Sequence, residues 1–354
     1  MAYIDEYGVE YTDDKKCVFR APNNLSGKYQ ILEGVKEIYS NAFSYCENLK
    51  EIYIPNTVMS IGENAFESCS SLTEIQLPRY LETIDNNTFS NCVSLNKIIF
   101  GEELKIIGIE AFSNCTALLT VDFPSSLMVI LSKAFVNCTS LKEIFIPRNL
   151  KDVDSSAFEG CANLDFLDVD NNNPFLCSFS SCIFTKNLNC LLLAPPKLNE
   201  LTIPAETVKV DPLAFLTTTI CPIKVNYLSI NCEKIDWAYL RTSVEQVVIG
   251  KEVSYLPSLQ FAHFENLSQV ICESQSLAYV GYNVFHLTPW FEQSGVWENG
   301  VLYLGNCILK AQSDFYGKCT LIDGISVVAA EAFANCKNIS SVKFNSSLTS
   351  FTTI

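Results

Sequence analysis

The chain writes one unit again every 23 residues, and that register limits its possible folds more than any other property. Phenylalanine stands at Phe43, Phe66, Phe89, Phe112, Phe135 and Phe158, each 23 positions after the last. A cysteine follows each by three residues, at Cys46, Cys69, Cys92, Cys115, Cys138 and Cys161. Units at a fixed spacing of this size bury their apolar faces only against their neighbours, so the array must stack. A chain of 354 residues would otherwise divide into two or three globular domains. The constant period points instead to one elongated domain.

Each unit opens with Leu-x-x-Ile-x-Ile-Pro, as in Leu49, Ile52, Ile54 and Pro55, then Leu72, Ile75, Leu77 and Pro78. The pattern recurs at Leu95, Leu118, Leu141 and Leu164. Alternation at the end of each triplet predicts a short strand with one face inward, ended by a proline that cannot donate to the ladder. The second half, Val58-x-x-Ile61-x-x-x-Ala65-Phe66-x-x-Cys69, spaces apolar residues by three and four. That spacing predicts a second extended segment running into one helical or 3₁₀ turn on the opposite wall. Gly62 and Gly108, at equivalent places, suggest a tight bend before the turn.

Three segments break the rhythm. Residues 8–22, 181–195 and 300–311 each read as two β-prone runs around a polar turn, that is, as hairpins. Cys17, Cys190 and Cys307 precede Phe43, Phe215 and Phe333 by 26, 25 and 26 residues, so the hairpins are a recurring insert. The first would cover an open end of the stack. Between them the triplets survive in looser form at Leu198, Val225, Val244 and Leu267, and again at Tyr316 and Ile339. With Ser26, Tyr29 and Ile31 at the start, thirteen triplets are counted. The expected organisation is a hairpin cap and first coil at 1–48, regular repeats at 49–170 and a hairpin insert at 171–197. Looser repeats follow at 198–286, a third insert at 287–311 and final repeats at 312–354, ending part-way through a coil as if truncated.

Composition excludes several function classes. With 24 basic and 39 acidic residues, the formal charge is −15. Nucleic acid and acidic membrane surfaces are therefore poor partners, since affinity for phosphate comes largely from Lys and Arg. No window reaches the length of apolar sequence a membrane helix needs, and the N-terminus shows no basic and apolar export signal. Sixteen cysteines could suggest disulfides, but Cys336 joins the six above at the same place in a repeat. Side chains in such a column are read as buried free thiols.

Catalysis and cofactors are not expected. The two histidines, His263 and His286, sit among apolar residues, and no phosphate loop, nucleophile elbow or Cys–His pair at recognisable spacing is present. Cys177, Cys182 and Cys190 could be brought together around a metal, but they lack the two close pairs of a structural zinc site and read as buried thiols or a local disulfide. Sequons begin at Asn24, Asn86, Asn114, Asn137, Asn266, Asn338 and Asn345. They would matter in a secreted chain, although some of these asparagines could simply hydrogen-bond their turns.

The unit Cys-x-x-Leu-x-x-Ile-x-Ile-Pro-x-x-Val-x-x-Ile-x-x-x-Ala-Phe resembles the BspA-like leucine-rich-repeat family of surface proteins from anaerobic bacteria and parasitic protists. The match runs cleanly over about Lys28 to Leu167 and loosely over Lys197 to Phe344, and Leu287 to Phe291 leading into Gly300 to Tyr303 is similar to that family's interspersed blocks. The resemblance implies a leucine-rich-repeat horseshoe or arc. It also implies an adhesin or surface antigen that binds a host or matrix protein; the missing export signal leaves an intracellular scaffold or spacer as the alternative.

The face that can recognise anything is the outward side of the strands. Counting from each triplet, it carries Glu51 and Tyr53, Glu74 and Gln76, Lys97 and Ile99, Thr120 and Asp122, Glu143 and Phe145, Phe166 and Asp168. Aromatic anchors within a polar rim carry most interface energy, which makes this wall the expected protein-binding site. The alternative is an ordinary solvated sheet face.

Overall fold

The computed structural model describes residues 2–198, 200–215, 227–230, 237, 240–293, 297–344 and 346–351. Val225, Asn345 and the last three residues of the chain lie outside them. The chain forms two compact units, one within 1–197 and 211–222 and one within 198–210 and 223–354.

In the first unit Ser26–Gln30, Asn48–Tyr53, Glu74–Gln76 and Lys97–Ile99 form one parallel sheet in chain order. Glu51 lies opposite Glu74 and Glu74 opposite Lys97, so the ladder offset is the 23-residue period itself. Ile52, Ile54, Ile75, Leu77 and Ile98 point inward and are buried. The opposite wall repeats the device with two-residue strands, among them Ser60–Ile61, Thr83–Ile84 and Ile106–Ile107, paired in parallel with their neighbours.

The turn after these strands is not helical, and the reason is local. Tyr45, Ser68, Asn91, Asn114 and Asn137 all adopt left-handed backbone, with φ between 58° and 61°. A second left-handed residue stands two positions before each phenylalanine from Phe43 to Phe135, at Asn41, Asn64, Asn87, Glu110 and Lys133. With it the Phe amides point along the stack: Phe66 N–H donates to Thr88 O at 2.9 Å, and Phe112 N–H to Ala134 O at 2.8 Å. Amides spent on the next coil cannot close an α-helical ring. Gly62 and Gly108 have a different role from the expected bend. A Cβ at Gly108 would lie 2.8 Å from backbone atoms of Ile84 and Asp85, and one at Gly62 would lie 2.6 Å from Ser40 N. Close approach of adjacent coils, not turn conformation, requires glycine there.

The phenylalanines stack as rings. From Phe43 to Phe158 successive centroids are 5.1 to 5.4 Å apart with interplanar angles of 4° to 12°. The separation exceeds the strand spacing of about 4.8 Å, so the rings are offset, as their quadrupoles favour. From Cys69 to Cys161 each column cysteine donates its S–H to the carbonyl of a phenylalanine one coil back, for example Cys92 to Phe66 at 3.2 Å, Cys115 to Phe89 at 3.3 Å and Cys138 to Phe112 at 3.2 Å; Cys46, on the first coil, donates to Pro22 O instead. The thiol fills space and adds a second donor to a buried carbonyl that already accepts a backbone N–H, as Phe66 O does from Cys69 at 3.3 Å. Asn114 and Asn137, two of the sequon asparagines, form a side-chain ladder with Asn91, each step 3.0 Å.

Burial pushes the Cys46 thiol up to about 11 and that of Cys92 up to about 12, from an ordinary 9.0. Because the thiolate is the nucleophile, Cys92 should resist alkylation near neutral pH until the chain unfolds; rapid labelling of Cys92 in the native protein would contradict its placement. A folded pKa above the unfolded one means the unfolded thiol loses its proton first. The stabilisation is therefore complete below about pH 9 and is lost as pH rises towards 12. The midpoint of urea unfolding should fall across that window.

One coil departs from the expected strand. Leu118 and Val121 are buried as predicted, but no strand forms at Thr120–Asp122, and the next pair, Glu143–Ile146 with Phe166–Val169, is a separate parallel sheet. The inward position carries Phe100 and Phe123 here, where other coils carry Ile54, Leu77, Ile146 and Val169. Those rings lie 5.8 Å apart and meet Phe112 and Phe135 edge-on. The missing strand coincides with this change from aliphatic to aromatic side chains at the inward position.

The hairpin segments are three-stranded. Tyr3–Ile4, Glu10–Tyr11 and Cys17–Arg20 are antiparallel, as are Leu176–Phe179, Cys182–Thr185 and Cys190–Leu193. Cys17–Arg20 then pairs in parallel with Glu37–Ile38, so the first insert is hydrogen-bonded into the back wall. In the second unit Trp297–Glu298, Val301–Leu304 and Cys307–Ala311 repeat the arrangement and join Val327–Val328. That unit holds a parallel sheet of Glu200–Ile203, Tyr227–Ile230, Gln246–Ile249 and Gln269–Cys272. Phe261 and Phe285 restore the ring stack at 5.4 Å. Pro289–Glu292 is a single helical turn capped by Thr288.

Candidate functional site

The outward strand residues of the first unit are presented in columns. One column runs Lys28, Glu51, Glu74, Lys97 across four neighbouring strands, with Lys28 Nζ 2.6 Å from Glu51 and Lys97 Nζ 4.0 Å from Glu74. These pairs are exposed and add little to stability, but they fix the charge pattern of the sheet face. Beside them stand Gln30, Tyr53, Gln76 and Ile99; Tyr53 is 50% exposed and Ile99 44%.

A loop of the N-terminal hairpin turns this face into a groove. Asp5 Oδ1 accepts from the amides of Tyr7 and Val9, each at 2.9 Å, which closes the loop on itself. Asp5 Oδ2 accepts from the hydroxyl of buried Tyr29 at 2.6 Å, which pins the loop to the first strand. Tyr29 also hydrogen-bonds Tyr11, whose side chain is fully buried, and the Tyr7 ring meets Tyr29 edge-on at 5.6 Å. Burial raises both phenol pKa values, and the hydrogen bond to Asp5 raises that of Tyr29 further, so both hydroxyls keep their protons and the hydrogen bonds stay intact. The resulting groove has a volume of about 1130 Å³, with Tyr3 to Tyr7 on one side and the charged column as its floor.

Six of the twelve expected residues are brought together here: Glu51, Tyr53, Glu74, Gln76, Lys97 and Ile99 line the groove. The other six lie further along. Thr120 and Asp122 are exposed on the coil that lacks a strand; Glu143, Phe145 and Phe166 are exposed on the separate sheet, with Phe145 and Phe166 at 52% and 47%. Asp168 faces the same way but is half-buried, because the Ser178 hydroxyl of the second hairpin donates to it at 2.5 Å. The sequence pattern points to Tyr29 only as an inward triplet member and does not point to Lys28, Asp5 or Tyr7. The Ser26, Tyr29, Ile31 triplet was available, and counting outward positions from it would have found Lys28 and Gln30; the bond between residues 5 and 29 has no local signal.

His263 and His286 occupy the same turn position on successive coils, their rings 6.3 Å apart. In the second hairpin Cys182 is buried, while the thiol of Cys177 donates to Thr185 O at 3.3 Å and that of Cys190 to Leu191 O at 3.6 Å. Among the described residues no three His, Cys, Asp or Glu side chains converge, and no helix is long and apolar enough to cross a membrane.

The model of the BspA-type leucine-rich-repeat region matches residues 36–165, 194–312 and 312–353. The chain belongs to the BspA-type leucine-rich-repeat family. Leucine-rich repeats of this kind are typically non-catalytic scaffolds that bind other proteins. A leucine-rich-repeat protein of T. pallidum is similar at 32% identity, over 46% of this BspA-type chain and 78% of its own, with a TM-score of 0.42. A leucine-rich-repeat protein of Bacteroides ovatus shares the fold at 20% identity, over 99% of this chain and 88% of its own, with a TM-score of 0.54. A leucine-rich cell surface protein of Faecalibacterium prausnitzii does so at 18% identity, over 98% and 95%, with a TM-score of 0.50. No curated protein matches.

Proposed function

We propose that this chain is a non-catalytic recognition module that binds a protein through the outward strand face, as a surface adhesin or antigen. The observation that carries the reading is the groove: four successive coils and the pinned N-terminal loop enclose about 1130 Å³ around exposed Tyr53 and Ile99. Apolar and aromatic anchors surrounded by ionised side chains are what protein interfaces use at their centres. Phe145 and Phe166 extend the surface towards the second hairpin. The cell-surface description of the F. prausnitzii protein supports an external location.

Tyr53→Ala with Ile99→Ala should weaken a protein ligand at least tenfold in a surface-binding assay, about 1.4 kcal/mol or more. Unchanged affinity would move recognition off this face. A second reading, an intracellular scaffold, is favoured by the column of buried, unbridged thiols from Cys46 to Cys161. Surface biotinylation of intact cells separates the two: recovery of the chain only from the cytosol, with its thiols reduced, would favour the scaffold.

A further inference from the structure

We infer that the N-terminal groove takes a short, extended peptide segment bearing lysine or arginine. This rests on the reading of the strand face as a protein-binding surface and adds the chemistry of its occupant. Five carboxylates line the groove against two ammonium groups, an excess of three among eighteen lining residues, where the whole chain carries an excess of fifteen over 354. Negative charge is therefore concentrated there. Two of the carboxylates are committed, Asp5 to Tyr29 and Glu51 to Lys28. Glu74 is held only loosely by Lys97, and exposed Glu6 and Glu33 have no ion pair among the described residues.

The walls complete the site. Tyr7 and Tyr53 expose 54% and 50% of their surface among these carboxylates. Tyrosine faces attract ammonium and guanidinium groups, and the chain itself shows this on the same wall, where Lys15 Nζ sits 3.6 Å from the Tyr3 ring centroid. Three strand spacings across the floor span about 14 Å, the length of four or so extended residues. A segment crossing the strands would set its cationic side chains over the Glu74 and Glu33 carboxylates and its intervening residues against Tyr53. Complementary charge of this kind fixes partner choice and speeds encounter.

The test uses the full chain and two fluorescein-labelled octapeptides, one alternating arginine and serine, the other glutamate and serine. In anisotropy titrations at low salt the basic peptide should bind and the acidic one should not. Glu33→Gln with Glu74→Gln should weaken the basic peptide at least tenfold. Lys28→Gln should tighten it, because Glu51 is then free, while Glu265→Gln with Glu292→Gln in the second unit should change nothing. Failure of the basic peptide to bind, equal binding of both peptides, or equal loss in the second-unit control would each overturn the inference. The strand-face reading fails separately: if a protein ligand loses affinity on Tyr53→Ala while the basic peptide does not bind, only the occupant is wrong.

Discussion

Phe112→Ala should lower the free energy of unfolding by about 3 to 5 kcal/mol, as truncation of a fully buried phenylalanine does. Phe112 has no exposed surface and stands between Phe89 at 5.3 Å and Phe135 at 5.2 Å, with Phe100 edge-on at 6.0 Å. The coils on either side are tied by backbone ladders and cannot collapse into the vacated space, so most of the cavity remains. Tyr53→Ala, on the outward face, should shift stability by less than about 0.5 kcal/mol. Urea unfolding of both variants checks the pair; a loss below about 1 kcal/mol at Phe112 would mean that its ring is not a core element.

Asp5→Ala should cost about 2 to 3 kcal/mol, although Asp5 lies near the chain end where substitutions are usually tolerated. The change removes the acceptor of the Tyr29 hydroxyl and of two backbone amides at once. Tyr29 and Tyr11 are buried, so no other protein group replaces the lost acceptor while the loop stays in place. The loop should also detach from the strand face. Hydrogen exchange at the Tyr7 and Val9 amides should accelerate in the variant while the ladder amide of Ile75 stays protected. Unchanged exchange at Tyr7 would show that the groove wall does not depend on Asp5.

What the sequence made legible was whatever repeats at 23 residues. The inward ladder of Ile52, Ile75 and Ile98, the Phe and Cys columns and the outward set from Glu51 to Ile99 follow from periodicity, because stacking converts a sequence offset directly into a neighbour in space. The turn wall was harder to read. Its left-handed position is filled by Asn91, Asn114, Asn137 and Gly160, types that favour that conformation, but also by Tyr45 and Ser68, which carry no such signal, so the requirement is visible at every coil only in the backbone. The missing strand at Thr120–Asp122 coincides with two adjacent rings at the inward position, which an apolar pattern does not distinguish from Ile and Leu. The groove depends on Asp5 meeting Tyr29, a contact outside any repeat. Thus the sheet face was foreseeable, and the wall that makes part of it concave was not.

Site-specific photo-crosslinking tests the functional account most directly. A benzophenone side chain replacing Tyr53, on the strand face, is compared with one replacing Met59, which is 59% exposed beside the opposite-wall strand Ser60–Ile61. Incubated with serum and matrix proteins and illuminated, the protein should form adducts from position 53 and not from position 59. Adducts from position 59 with none from position 53 would place recognition on the opposite wall and contradict the account.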